Sequence, residues 1–167
     1  NLQNLSFVLR FAKIYKLNKY KLLKTVNLFK GLNFRQQIIY RNKFVTILND
    51  SKSTSFSSSI SLLKSYKNIF WILGGLAKKG DKFELPSKYY KNIKGYIFGK
   101  DKSFFKNKLN NKIIAKSYND LGIILKKIAK EIKLNKKIHY YVLFSPSAAS
   151  FDQFKNFEDR GYYFNNL

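Results

Sequence analysis

The chain has no cysteine and no methionine, two prolines, eight glycines, one histidine and only nine acidic residues among 167. Without cysteine there is neither a disulfide framework nor a thiolate metal site, which fits a reducing compartment. The absence of methionine marks the chain as trimmed or as a segment of a longer protein. The lone His139 starts a strand-like run with no serine or aspartate constellation around it, and reads as structural. Long apolar runs are also missing. The longest, residues 69–77, is interrupted by Gly74 and Gly75 and falls far short of the ~20 residues that a membrane helix needs, so no membrane partner is expected.

Positive charge is abundant: 33 basic residues give a formal net charge of +24. A basic nucleic-acid-binding α/β module is one explanation, and a lysine-rich compositional bias that leaves the fold unchanged is the other. The lysines are dispersed rather than clustered. Only Arg10, Arg35, Arg41 and Arg160 supply the forked donor preferred for phosphate and base contacts, so a nucleic-acid partner is not expected. A hydrophobic content of 45% excludes a disordered chain and is enough, at this length, for one good core and a piece of another.

Along the chain, Leu2, Leu5, Leu9 and Ala12 recur at helical spacing and predict an amphipathic helix over 2–17. Leu22, Leu23, Val26 and Phe29 predict a second over 20–29, stopped near Gly31. From Asn33 the pattern changes. Strands are predicted at 44–48, 69–73, 96–98, 112–115 and 140–144, and helices from the serine run 55–61, over 101–109, over 120–133 and at the carboxyl end. Strict alternation of the two implies an α/β, Rossmann-like fold: a mainly parallel sheet flanked by helices, preceded by a short helical segment.

In such sheets ligands bind beyond the carboxyl ends of the strands. Three unusual polar loops follow strands there: 49–54, 74–81 and 145–157. The last leads from Tyr-Tyr-Val-Leu-Phe through Ser145 and Pro146 to what reads as a helix start capped by Ser150, where free backbone N–H groups would seat a carboxylate or phosphate. Convergence of the three loops would make one anion site.

The same loops resemble motifs of the Mur ligase family, in its D-glutamate-adding branch. Asn49-Asp50-Ser51-Lys52-Ser53-Thr54 is similar to Asn-Asp-Ser-Lys-Ala-Thr, Gly74-Gly75-Leu76-Ala77-Lys78 to Gly-Gly-x-x-Lys, and Ser145 to Gly161 to Ser-Pro-Ala-Cys-Ala-Ser-Phe-Asp-Gln-Phe-Lys-Asn-Phe-Glu-x-Arg-Gly. Asn1 to Asn4 resembles the family's His-Asn-x-x-Asn segment without its His. Gly31 to Arg35 resembles Gly-Leu-Pro-His-Arg, with the apolar Phe34 in place of the His.

The resemblance implies residues 1–32 as the last helices of a central ATP-binding domain and 33–167 as the C-terminal, amino-acid-binding domain of a monomeric cytoplasmic enzyme of peptidoglycan synthesis. It implies ATP-dependent amide formation between UDP-N-acetylmuramoyl-L-alanine and D-glutamate through an acyl phosphate. No Gly-x-x-Gly-Lys-Thr occurs here, so ATP and Mg²⁺ would be bound mainly elsewhere and the chain alone would be inert. Lys52, Thr54, Lys78, Ser150, Phe151 and Phe157 would form the D-glutamate set. Asn1, Asn4, Arg35 and Asp50 would touch nucleotide; no residue is assigned as catalytic or metal-binding. Read without the resemblance, the lysines and Arg35 are solvated surface charges, Thr54, Ser150 and Asp50 caps, both phenylalanines core, Asn1 a terminus and Asn4 an exposed helical amide.

Overall fold

The computed structural model describes residues 2–29 and 31–167, with side chains from Asn4 onward. The chain divides into two compact units, residues 1–31 and 32–167. In the first, α1 (Leu2–Ile14) and α2 (Lys19–Leu28) occupy the two predicted helical stretches. Asn18 caps α2 by accepting from the Lys21 N–H at 3.0 Å.

The second unit is a six-stranded sheet in the order β1-β2-β6-β3-β4-β5, with β1 Gln37–Arg41, β2 Val45–Asn49, β3 Ile69–Gly74, β4 Ile93–Phe98, β5 Ile114–Ser117 and β6 Tyr140–Phe144. Strands β2 to β6 are mutually parallel, and β1 alone is antiparallel, on the edge beside β2. The helices are α3 (Phe56–Ser65), α4 (Lys102–Leu109), α5 (Leu121–Leu134) and α6 (Phe157–Asn165), with a 3₁₀ turn over Ser87–Asn92.

Central strands read as continuous apolar runs because both faces are covered. All six residues of β3 are buried. Alternate side chains then separate by period two. Ile69, Trp71 and Leu73 enter a core with Leu143 and with Phe56, Leu62, Leu63, Phe105 and Leu109 from α3 and α4. Phe70 and Ile72 enter the opposite core with Val142, Phe144, the α5 residues Leu121, Ile124 and Ile128, and Phe164 of α6. Phe144 and Phe164 stack at 4.0 Å between centroids. This three-layer arrangement is the expected Rossmann-like α/β class.

Some local expectations shift. β1 is an additional strand; a register irregularity between Ile38 and Tyr40 breaks its alternation, so periodicity does not reveal it. β5 begins two residues later than expected, because the Lys112 and Ile113 N–H groups still donate to the Leu109 carbonyl at the end of α4. The largest correction concerns Ser150, which does not cap a helix. Its carbonyl closes a turn by accepting from Gln153 and Phe154 at 3.2 and 2.9 Å. α6 starts at Phe157 instead, capped by Asn156, whose side chain accepts from the Asp159 N–H at 2.7 Å.

Candidate functional site at the carboxyl edge of the sheet

Strand order decides where the three polar loops fall. β6 lies between β2 and β3, so the loop after Phe144 emerges between the loops after Asn49 and Gly74. Hydrogen bonds fasten all three. The Ser145 hydroxyl donates to Asp50 Oδ2 at 2.8 Å, and Asp50 N–H donates to the Phe144 carbonyl at 2.7 Å. On the other side Leu76 and Ala149 exchange two backbone hydrogen bonds of 3.0 Å each, and the Gly74 N–H reaches the Pro146 carbonyl at 2.8 Å. Gly75, at φ +132°, is needed for this approach, since a Cβ there would lie 2.5 Å from the Ala149 carbonyl oxygen.

Beneath the loops lies a buried hydroxyl cluster. Ser59 Oγ is within 2.6 Å of Ser53 Oγ, 2.7 Å of Ser145 Oγ and 2.6 Å of Ser147 Oγ. Ser53, Ser59, Ser145 and Ser147 are all buried. The Trp71 indole N–H donates to the Ser145 carbonyl at 2.8 Å from below. Such a network is stable only because each buried polar group has a partner.

The scarce carboxylates are placed here too. Asp81 accepts from the Phe56 N–H at 2.7 Å and so occupies the amino end of α3; Asp101 accepts from Ala77 at 2.8 Å; Asp152 accepts from Lys100 at 2.9 Å. With Asp50, four of the nine acidic residues join one loop to a neighbouring segment. Burial pushes the Asp50 carboxyl up to about 6, against the opposing influence of the Ser145 hydroxyl, the Gln36 N–H at 3.1 Å and the Arg35 charge.

The sequence-predicted residues fall as follows. Lys52 is half-buried, with Nζ 4.0 Å from the centroid of the half-buried Phe157 ring, so these two meet directly. Its backbone N–H donates to the Phe34 carbonyl at 3.0 Å. Thr54 and Lys78 are exposed on their loops, and Lys78 has no ion-pair partner among the described residues. Ser150 is buried at the centre of the edge, whereas the adjacent Phe151 is 70% exposed, so neither phenylalanine of the D-glutamate set is a core residue. Asp50 is buried and tied to Gln36 and Ser145; Arg35 is exposed and close enough to favour its ionised form. Asn4 lies exposed on α1, in the first unit. Asn1 lies outside the described residues.

Phe34 is buried at 3% exposure and packs edge-on against Tyr162 at 4.8 Å between centroids, so a nonpolar residue suits the position. His139 bonds Thr46 Oγ1 at 2.9 Å and the Lys43 carbonyl at 3.2 Å, a structural arrangement.

Sequence reasoning overlooked Ser51, Ser59 and Arg160, which carry much of the fastening. A signal for Arg160 was present: in a chain whose default cation is lysine, an arginine marks a place where several donors are needed. The arrangement suits binding of a small anion rather than local acid-base chemistry. Cations stand at two loops, a buried hydroxyl lies between them, and the edge's own carboxylates are engaged internally. Among the described residues no cluster of three or more His, Cys, Asp or Glu side chains is arranged to hold a metal ion, and no helix is long and apolar enough to cross a membrane.

No family model matches the chain. Curated relatives do, along its whole length. A UDP-N-acetylmuramoylalanine–D-glutamate ligase of Rickettsia prowazekii is 32% identical over 167 residues, covering 100% of this chain and 38% of that protein. The enzyme of the same name from Wolbachia pipientis is 33% identical over 162 residues, 96% of this chain and 31% of the relative. That of Prochlorococcus marinus is 35% identical over 176 aligned positions, covering 100% and 36%. The chain thus spans about a third of the length of the curated relatives it matches, in their C-terminal part. Whole-chain similarity therefore accompanies the resemblance carried by the three loop motifs.

Proposed function

We propose that this chain is the C-terminal, amino-acid-binding part of an ATP-dependent ligase that adds D-glutamate to UDP-N-acetylmuramoyl-L-alanine in cytoplasmic peptidoglycan synthesis. The observation that carries the reading is the convergence, on one sheet edge, of the three loops whose motifs match that ligase. In the proposed reaction the alanine carboxylate takes a phosphoryl group from ATP to give an acyl phosphate. The D-glutamate amine then attacks the acyl carbon, the C–O bond to phosphate breaks, and the nitrogen loses a proton. Such chemistry depends on holding anions in register and neutralising their charge.

In this reading Lys52 and Lys78 face the carboxylates of D-glutamate from two sides. Ser150 and Thr54 donate to them, and Phe157 and Phe151 wall the amino acid. Phe157 also steers the Lys52 ammonium, which sits over its ring. Asp50 and Arg35, which lie close together, serve a nucleotide's ribose and phosphates; Asn1 and Asn4 are nucleotide-binding residues of the first unit by the motif resemblance alone. Mg²⁺ is held by parts of the ligase outside this chain. The chain alone neither hydrolyses ATP nor forms the amide.

Lys78→Ala in the intact ligase tests the assignment. Loss of one carboxylate contact predicts a rise of roughly ten- to a hundredfold in KM for D-glutamate or an equal fall in kcat/KM, with KM for ATP unchanged. Wild-type kinetics for D-glutamate in the variant would remove Lys78 from the site.

A further inference from the structure

Arg160 is fully buried on α6, yet among the described residues its hydrogen-bond partners are all neutral oxygens. Nε donates to Ser51 Oγ at 3.0 Å and Nη2 to the Ser51 carbonyl at 2.7 Å, while Nη1 crosses to the Ala148 carbonyl at 3.0 Å. The Ser51 hydroxyl, having accepted from Arg160, donates onward to the Phe157 carbonyl at 2.8 Å. A Cβ on Gly75 would lie 3.4 Å from Nη1, so the guanidinium sits beneath the β3 loop as well. Burial pushes the guanidinium down to about 10, with the Asp152 carboxylate opposing the shift. A buried cation without a carboxylate partner is costly, and one planar fork satisfying two separate loops is something an ammonium cannot reproduce.

The neighbours of its partners are the proposed substrate residues. Ser51 precedes Lys52, Ala148 lies two residues before Ser150, and Phe157 is one helical turn before Arg160 on the same helix. We infer that Arg160 is a positioning residue: its guanidinium fixes the spacing between Lys52 with Phe157 on one side and Ser150 on the other, and so sets the fit of the acidic amino acid. This inference rests on the proposed D-glutamate reading, but the latch itself is a claim about this chain alone.

Arg160→Lys in the intact ligase keeps the charge and removes the fork. The expected result is a KM for D-glutamate raised roughly tenfold, with KM for ATP within about twofold and kcat lowered less than about threefold. A D-glutamate KM within about twofold of wild type, or an equal rise in both KM values, overturns the positioning role. Should the variant fail to fold, Ser51→Ala removes only the Nε and Phe157 links and is expected to raise the D-glutamate KM by about threefold; an unchanged value counts against the inference. Amide NMR of the 167-residue chain separates the latch from the functional reading. Arg160→Lys, or Ser51→Ala in its place, is expected to shift the Lys52, Ala149 and Ser150 signals together, and shifts confined to α6 overturn the latch whatever the ligase assay gives. A wild-type ligase that adds no D-glutamate refutes the functional reading instead.

Discussion

The two edges of the sheet handle polarity in opposite ways. At the carboxyl edge, Asp50, Ser51, Ser53, Ser59, Ser145, Ser147 and Arg160 are buried, and all are hydrogen-bonded to one another or to the backbone. At the amino edge, the exposed residues Lys88, Lys91, Lys94 and Lys112 line a shallow cavity near the starts of β4 and β5. Lys94 alone among them forms an ion pair, with Glu131, an exposed contact of small energetic value. A chain of net charge +24 thus concentrates geometric specification where the charge is least visible. Buried, mutually satisfied polar groups permit one loop arrangement, whereas solvated lysines permit many.

That contrast predicts a gradient of mutational effects. Gly75→Ala strikes the fastened edge hard, because its Cβ meets the Ala149 carbonyl oxygen at 2.5 Å and the residue sits at φ +132°. A loss of about 2–4 kcal/mol is expected from urea unfolding, and a loss below about 0.5 kcal/mol would show that the loops yield easily.

Next comes the response of Asp50 to pH. Its folded pKa of about 6 lies above the ordinary 3.8, so the fold favours the protonated form. Stability from this group is full below about pH 4 and is lost as pH rises through 6. Asp50→Asn, which stays neutral, is therefore expected to gain on the wild type by about 2 kcal/mol between pH 4 and pH 7. Parallel stability curves for the two proteins over that range would contradict the burial argument. At the other extreme, Lys88→Gln, Lys91→Gln and Lys112→Gln should each change stability by less than about 0.5 kcal/mol, and a larger change in thermal melting would give the amino edge a specified structure of its own.

The same contrast explains what was legible from sequence. The parallel core was readable because β3 and β6 are unbroken apolar runs between turn signals, and α5 keeps its apolar period through Leu121, Ile124 and Ile128. Strand-end position then brought the three loops to one edge. The start of α6 was misread because Ser150 and Asn156 are both good cap types, and a tertiary contact, Asp152 to the Lys100 N–H, takes the side chain that would otherwise support the earlier start. β1 escaped notice because its bulge breaks the period. The hydroxyl cluster and the Arg160 latch escaped as well: Ser59 meets Ser145, and Arg160 meets Ser51, from more than eighty residues away, and no local pattern encodes such a meeting.

The proposed function makes the carboxyl edge a seat for D-glutamate. Titrating D-glutamate into the 167-residue chain and following its backbone amides tests this most directly, with L-glutamate as the control. Saturable shifts at Lys52, Thr54, Lys78, Ser150 and Phe151 are expected for the D isomer, weaker ones for the L isomer, and none at the Lys88 to Lys94 edge. Equal responses to both isomers, or shifts gathered at the amino-edge lysines, would contradict it.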